Sequence, residues 1–116
     1  MYDRERIGTI IVDITKYYNS LVSFKIKSTN DLDDEKTFYA TSMLLFSILN
    51  RVIDLGEEIV SAHTLGVPAT YKDIFSLLEK GKIISVEMQK KLSSLMYARN
   101  LLAHEYQEFR EKEVYS

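Results

Sequence analysis

The chain has no cysteine, one proline and four glycines among its 116 residues. Without thiols there are no disulfides, zinc ribbons, iron–sulfur clusters or thiol nucleophiles, a composition compatible with a reducing cytoplasm. So little proline and glycine leaves few turns and predicts long helices. An excess of one charge is also missing: fifteen Lys and Arg face seventeen Asp and Glu, a net charge of -2. No general field draws this protein to nucleic acid or anionic lipid, so any polyanion site must be local. Nor is there a long hydrophobic run. The longest, 43–49 with Ser47 inside it, is far short of the roughly 20 residues of a membrane span. The start, Met1-Tyr2-Asp3-Arg4-Glu5-Arg6, is charged with both signs and leads into no signal-like core. The expectation is a cytoplasmic protein without membrane contact.

What is present is the balance of one globular domain over residues 1–116, with 46% hydrophobic and 28% charged side chains. A chain of this size hides roughly two thirds of its unfolded surface, enough for one core without staples. From residue 3 to about 26, Ile7, Ile10, Ile11, Ile14, Tyr17, Tyr18, Leu21 and Val22 recur at helical spacing, which predicts an amphipathic first helix. Asp33, Asp34 and Glu35 suit the positive end of the next helix. As metal ligands they would need an EF-hand's glycine and distal glutamate, which are missing. The second helix, about 33–64, has apolar residues on more than one stripe (Phe38, Leu45, Leu49, Val52 and Ile59, then Met43, Phe46, Ile53 and Val60), so burial on two sides is expected. Leu65-Gly66-Val67-Pro68 ends it, with Gly66 as the left-handed residue. Thr70 precedes a short helix, 71–80, with Gly81 just past its end, and Ser85 caps a last helix over about 86–109. The expected fold is all-α, a small up-and-down bundle of a first helix, two long helices and a short connecting helix.

The last helix contains a contradiction. Met88, Leu92, Leu95, Leu102, Ala103 and Tyr106 all lie within about 60° of Arg99 on a helical wheel, so a permanent cation sits in an apolar stripe. A guanidinium there requires a carboxylate, a subunit seam or an anionic ligand. Asp54, Glu57 and Glu58 are the internal candidates, and pairing with one of them would make the motif a structural device of a helical interaction module. Asn100 and His104 follow at about 100° and 140° from Arg99. One helix aims such splayed side chains into a shared cleft only if something closes it, as a two-fold partner with its own copies would.

The run Tyr97-Ala98-Arg99-Asn100-Leu101-Leu102-Ala103-His104-Glu105-Tyr106 resembles the signature of the HEPN superfamily, Arg-polar-x3-His, in the form with tyrosine two residues after histidine that marks HepT toxins. Val67-Pro68-Ala69-Thr70-Tyr71 and Leu78-Glu79-Lys80-Gly81-Lys82-Ile83-Ile84 are similar to that family's Pro-x-x-Tyr and Leu-x3-Gly-Ile-Ile stretches. The resemblance covers roughly the last two thirds of the chain. Family members often continue with a further helix beyond the motif, whereas this chain stops at Ser116, which leaves the closure of the bundle beside the site open.

The resemblance implies the toxin of a type VII-like HepT–MNT toxin–antitoxin pair: a homodimeric, metal-independent endoribonuclease, without cofactor, acting on transfer or messenger RNA. His104 would take or give a proton, Arg99 would hold the phosphorane, and Asn100 would hold the phosphate or orient His104. It also implies that an MNT nucleotidyltransferase silences the toxin by adenylylating Tyr106. The alternative is a non-catalytic nucleotide- or RNA-binding module, or a helical interaction module, partnering a nucleotidyltransferase. Two histidines on different helices, His63 and His104, suggest no metal set, and His63 reads as a cation at a helix C-terminus. Lys80, Lys82, Lys90, Lys91, Arg110 and Lys112 are candidate RNA contacts, although a mixed solvated surface explains each singly. The eight tyrosines read as core packing.

Overall fold

The computed structural model describes the backbone from residue 2 to residue 115, and the side chains apart from those of Tyr106 and residues 109–115. It contains four α-helices and no strand among the described residues: α1 Arg4–Ser23, α2 Glu35–Ala62, α3 Tyr71–Lys80 and α4 Val86–Tyr115. A single 3-10 turn, Thr29–Leu32, lies in the connection between α1 and α2.

The helix starts follow from capping chemistry. Asp3 accepts from the Arg6 amide to open α1. Asp34 accepts from the amide and hydroxyl of Thr37 to open α2, which holds its carboxyl below the usual range. The acidic cluster is thus a helix start. Ser85 accepts from the Met88 amide to open α4.

The helix ends correct one sequence expectation, that of Gly66 as the left-handed residue. α2 closes in a Schellman arrangement, with Leu65 N donating to Val60 O at 3.0 Å and Thr64 N to Ser61 O at 3.2 Å. The left-handed residue is therefore Thr64 (φ 52°), while Gly66 occupies a glycine-only region at φ 140° in the loop beyond. α3 closes in the same way at Lys82 (φ 61°), not Gly81. Gly81 lies close against Leu65: a Cβ there would stand 2.8 Å from Leu65 Cδ2, so that side chain would have to shift to admit one.

Leu49, Ile53 and Val60 from α2, Ile74, Phe75 and Leu78 from α3, and Met96 from α4 form the core. Each such side chain contributes about 1.5–3 kcal/mol of burial. Gly56 lets α3 approach α2: a Cβ there would stand 2.7 Å from Ile74 Cγ2. α2 packs against α1, α3 and α4, which accounts for its several apolar stripes. By length and composition it is also apolar enough to cross a membrane, with a mean hydropathy of 1.3 over its best window.

Among the described residues α1 packs against α2 and against neither α3 nor α4. Only Ile10 on it is buried, whereas Ile11, Tyr18 and Val22 are exposed. On α4 the buried line runs through Met96, with Leu92 and Leu102 beside it, leaving Met88 and Leu95 exposed. Leu45 on α2 is likewise exposed. The apolar stripes read from sequence are wider than one copy of the chain can cover. The tyrosines whose side chains are described are not core residues either, as none of them is buried.

Candidate functional site

Arg99 leaves α4 on the side facing α2 and the start of α3. Its guanidinium carbon lies 5.0 Å from the Phe46 ring centroid and 4.9 Å from that of Tyr71. Two aromatic faces therefore supply the polar environment that the apolar stripe lacks. Arg99 Nε donates to Asn50 Oδ1 at 2.9 Å, and Nη1 donates to Asn100 Oδ1 at 3.2 Å. Phe46 and Asn50 are one turn apart on α2, so the same face presents ring and amide together. Tyr71 is the first residue of α3. It is held there by a capping box in which Asp73 N donates to Thr70 Oγ1 while Asp73 Oδ2 accepts from the amides of Ala69 and Thr70.

No carboxylate neutralises Arg99 among the described residues. The expected internal partners are engaged elsewhere or free: Asp54 pairs with Arg51 at 3.0 Å and Glu58 pairs with Arg6. Glu57 is exposed and lines a groove. The reading of Arg99 as half of a structural ion pair is therefore corrected. Of its five N–H donors, two are used by asparagine carbonyls, and neutral acceptors leave its positive charge intact. It is a half-buried, oriented cation with donors to spare.

Asn100 is exposed and bonded to Arg99, so these two motif residues are brought together. His104 is not: its side chain is 71% exposed, and Nε2 contacts Glu108 Oε1 at 3.0 Å one turn further along α4. The side chain of Tyr106 lies outside the described residues, as do those of Arg110 and Lys112. Lys80, Lys82, Lys90 and Lys91 are all exposed. His63 caps the C-terminus of α2, as expected, and its Nε2 is hydrogen-bonded to the Tyr2 hydroxyl.

A groove of about 640 Å³ adjoins the Arg99 clamp, lined by Glu57 of α2, the 68–72 segment, Ile74 of α3, and Met96 and Asn100 of α4. Asn50, Phe46 and Tyr71 were missed as site residues in the sequence. One signal was there for Asn50, an amide set among the apolar stripes of the second helix.

The chain is similar to several known proteins. The mRNA nuclease HepT of Shewanella oneidensis is 32% identical over 56 residues, 48% of this chain and 42% of that protein. The chain thus matches less than half of that relative's length. The crystal structure of a toxin–antitoxin with AMP-PNP superposes with a TM-score of 0.81 at 21% identity, covering 90% of this chain and 79% of that one. A cytosolic protein of unknown function from Bacillus subtilis, YutE, superposes with a TM-score of 0.74 at 21% identity, covering 92% and 73%. These structural likenesses show that the chain shares their all-helical fold. The family model described as Ribonuclease HepT-like matches residues 8–116, and with all but the first few residues so matched, the chain belongs to the HepT-like ribonuclease family.

Proposed function

We propose that this protein is the toxin of a type VII-like toxin–antitoxin pair, a metal-independent endoribonuclease whose site is completed by a second copy of the chain. The observation that carries the reading is Arg99: an oriented guanidinium, clamped by Phe46 and Tyr71, with no carboxylate to neutralise it among the described residues. Keeping a cation half-buried without a counter-charge costs stability, and a function at that position accounts for the cost. Family membership and the mRNA nuclease among its relatives support the activity.

In this mechanism a ribose 2′-hydroxyl attacks the adjacent phosphorus and the P–O5′ bond breaks, leaving a 2′,3′-cyclic phosphate and a 5′-hydroxyl. His104 of one protomer takes the 2′-proton, and its symmetry mate returns a proton to the leaving oxygen. Arg99 donates to the phosphorane's equatorial oxygens, and Asn100 holds the phosphate or orients the histidine. Exposed Met88 and Leu95 on α4 supply apolar surface for a seam that brings the two motif copies together. Adenylylation of Tyr106 by a nucleotidyltransferase antitoxin would put a bulky anion beside Arg99 and fill the cleft. The reaction belongs in the cytoplasm, with transfer or messenger RNA as substrate.

The test is cleavage of cellular RNA by unmodified protein in excess chelator, beside His104→Ala and Arg99→Met. Chelator-resistant cleavage giving cyclic phosphate ends is expected, reduced about 100-fold or more in His104→Ala. Arg99→Met should lose cleavage yet change stability by only about 1 kcal/mol, because no partner carboxylate is orphaned. Absence of cleavage, from protein whose mass shows Tyr106 unmodified, overturns the reading.

A further inference from the structure

The groove beside Arg99 has features that phosphate chemistry does not use. Its volume of about 640 Å³ is within the range of small-ligand sites. Tyr71 both lines it and lies 4.9 Å from the Arg99 guanidinium, so a planar group in the groove has an aromatic side chain to pack on beside the cation. Pro68 and Met96 add apolar wall, and Lys72 adds a cation for a flanking phosphate. Asn100 has its amide oxygen engaged by Arg99, which leaves its amide hydrogens to donate.

Glu57 is the informative residue. It is exposed, lines the groove, and has no ion-pair or hydrogen-bond partner among the described residues, although Asp54 and Glu58 around it are both paired. A free carboxylate beside a polyanion site repels phosphate, so it disfavours a backbone path through the groove. What it attracts is a neutral group with N–H donors. An RNA base stacked on an aromatic ring and read on its Watson–Crick edge is such a group. Guanine alone among the four offers two adjacent donors there, N1–H and an N2–H, matching the two oxygens of a carboxylate. Adenine and cytosine offer one amino group, and uracil offers one imide N–H.

We infer that this groove is a base-reading subsite, which packs a guanine against Tyr71 next to the scissile phosphate with Glu57 accepting from its N1–H and N2–H. The inference rests on the ribonuclease reading for its place in catalysis, whereas nucleotide binding itself does not require cleavage.

The test is titration of the full chain with guanosine, adenosine, cytidine and uridine 3′-monophosphates, followed by calorimetry or amide chemical shifts. The guanosine nucleotide is expected to bind about tenfold or more tightly than the other three. Glu57→Gln should abolish that preference without altering the melting curve, and Tyr71→Leu should weaken all four. Sequencing of RNA cut by the wild type should show guanine enriched at one position beside the cut, with the enrichment lost in Glu57→Gln. Equal binding of the four nucleotides, or a preference that survives Glu57→Gln, overturns the subsite. A protein that binds guanosine 3′-monophosphate selectively through Glu57 but cleaves nothing keeps the subsite and defeats the nuclease reading.

Discussion

At the scale of single residues, the sequence placed Arg99 correctly as an anomaly and then offered it the wrong neighbours. Wheel geometry on α4 is local and shows that a cation shares an apolar stripe. Which side chain of α2 meets it depends on the rotation and depth of a helix dozens of residues away. Asn50 and Phe46 win over Asp54 because they lie where α2 and α3 converge, and Asp54 is taken by Arg51. The same convergence explains Gly56, whose missing side chain sets the distance between the helices. Alanine there gains helix propensity, about 1 kcal/mol, but places a methyl 2.7 Å from the buried, β-branched Ile74. Overpacking of this kind costs about 1–3 kcal/mol. Gly56→Ala is therefore expected to lower stability, by up to about 2 kcal/mol, in chemical denaturation, and a stabilised variant would contradict the close approach.

At the scale of elements, caps carried most of the legible information. The short helix was expected over 71–80 and is found there, because Thr70 and Asp73 form a local box that needs no tertiary contact. Its far end also lies where expected, with Gly81 just past Lys80; what the sequence did not show is that the left-handed residue is Lys82 and that Gly81 lies against Leu65, a property of two segments together. The capping box also has a pH signature. The amides of Ala69 and then Thr70 hold the Asp73 carboxyl below the usual carboxylate range. A lowered folded value means that its stabilisation is complete above the unfolded value, about 4, and disappears as pH falls through the folded one. The gap in melting temperature between wild type and Asp73→Asn should be constant from pH 7 to about 5 and close below about pH 4. A gap that persists in acid would show that the carboxylate is not the capping group. Since Tyr71 lies within this box, between Thr70 and Asp73, loosening of the groove wall should accompany the loss.

At the scale of the whole molecule, the all-α bundle followed from spacing and sparse glycine, but its coverage did not. Periodicity reports which faces are apolar, and it is silent on whether a second helix of the same chain lies against them. The first helix shows the difference. Eight apolar positions predicted a buried stripe, and packing on α2 alone buries Ile10 and leaves Ile11, Tyr18 and Val22 in the open. Beyond that contact, α1 is attached by ion pairs, Arg51 with Asp13 and Arg6 with Glu58, all partly exposed. Such pairs contribute about 0–1 kcal/mol each and weaken with salt. A helix fastened along one side only can detach while α2, α3 and α4 remain folded around Phe75. Its amides should then exchange with solvent deuterium through a cheaper, salt-assisted opening, well before those of α3, and a uniform exchange rate across the four helices would show that α1 is bound more firmly than its single neighbour suggests. Detachment would also uncover the flank of α2 without dissolving the Arg99 clamp, which would make α1 a removable cover beside a persistent site.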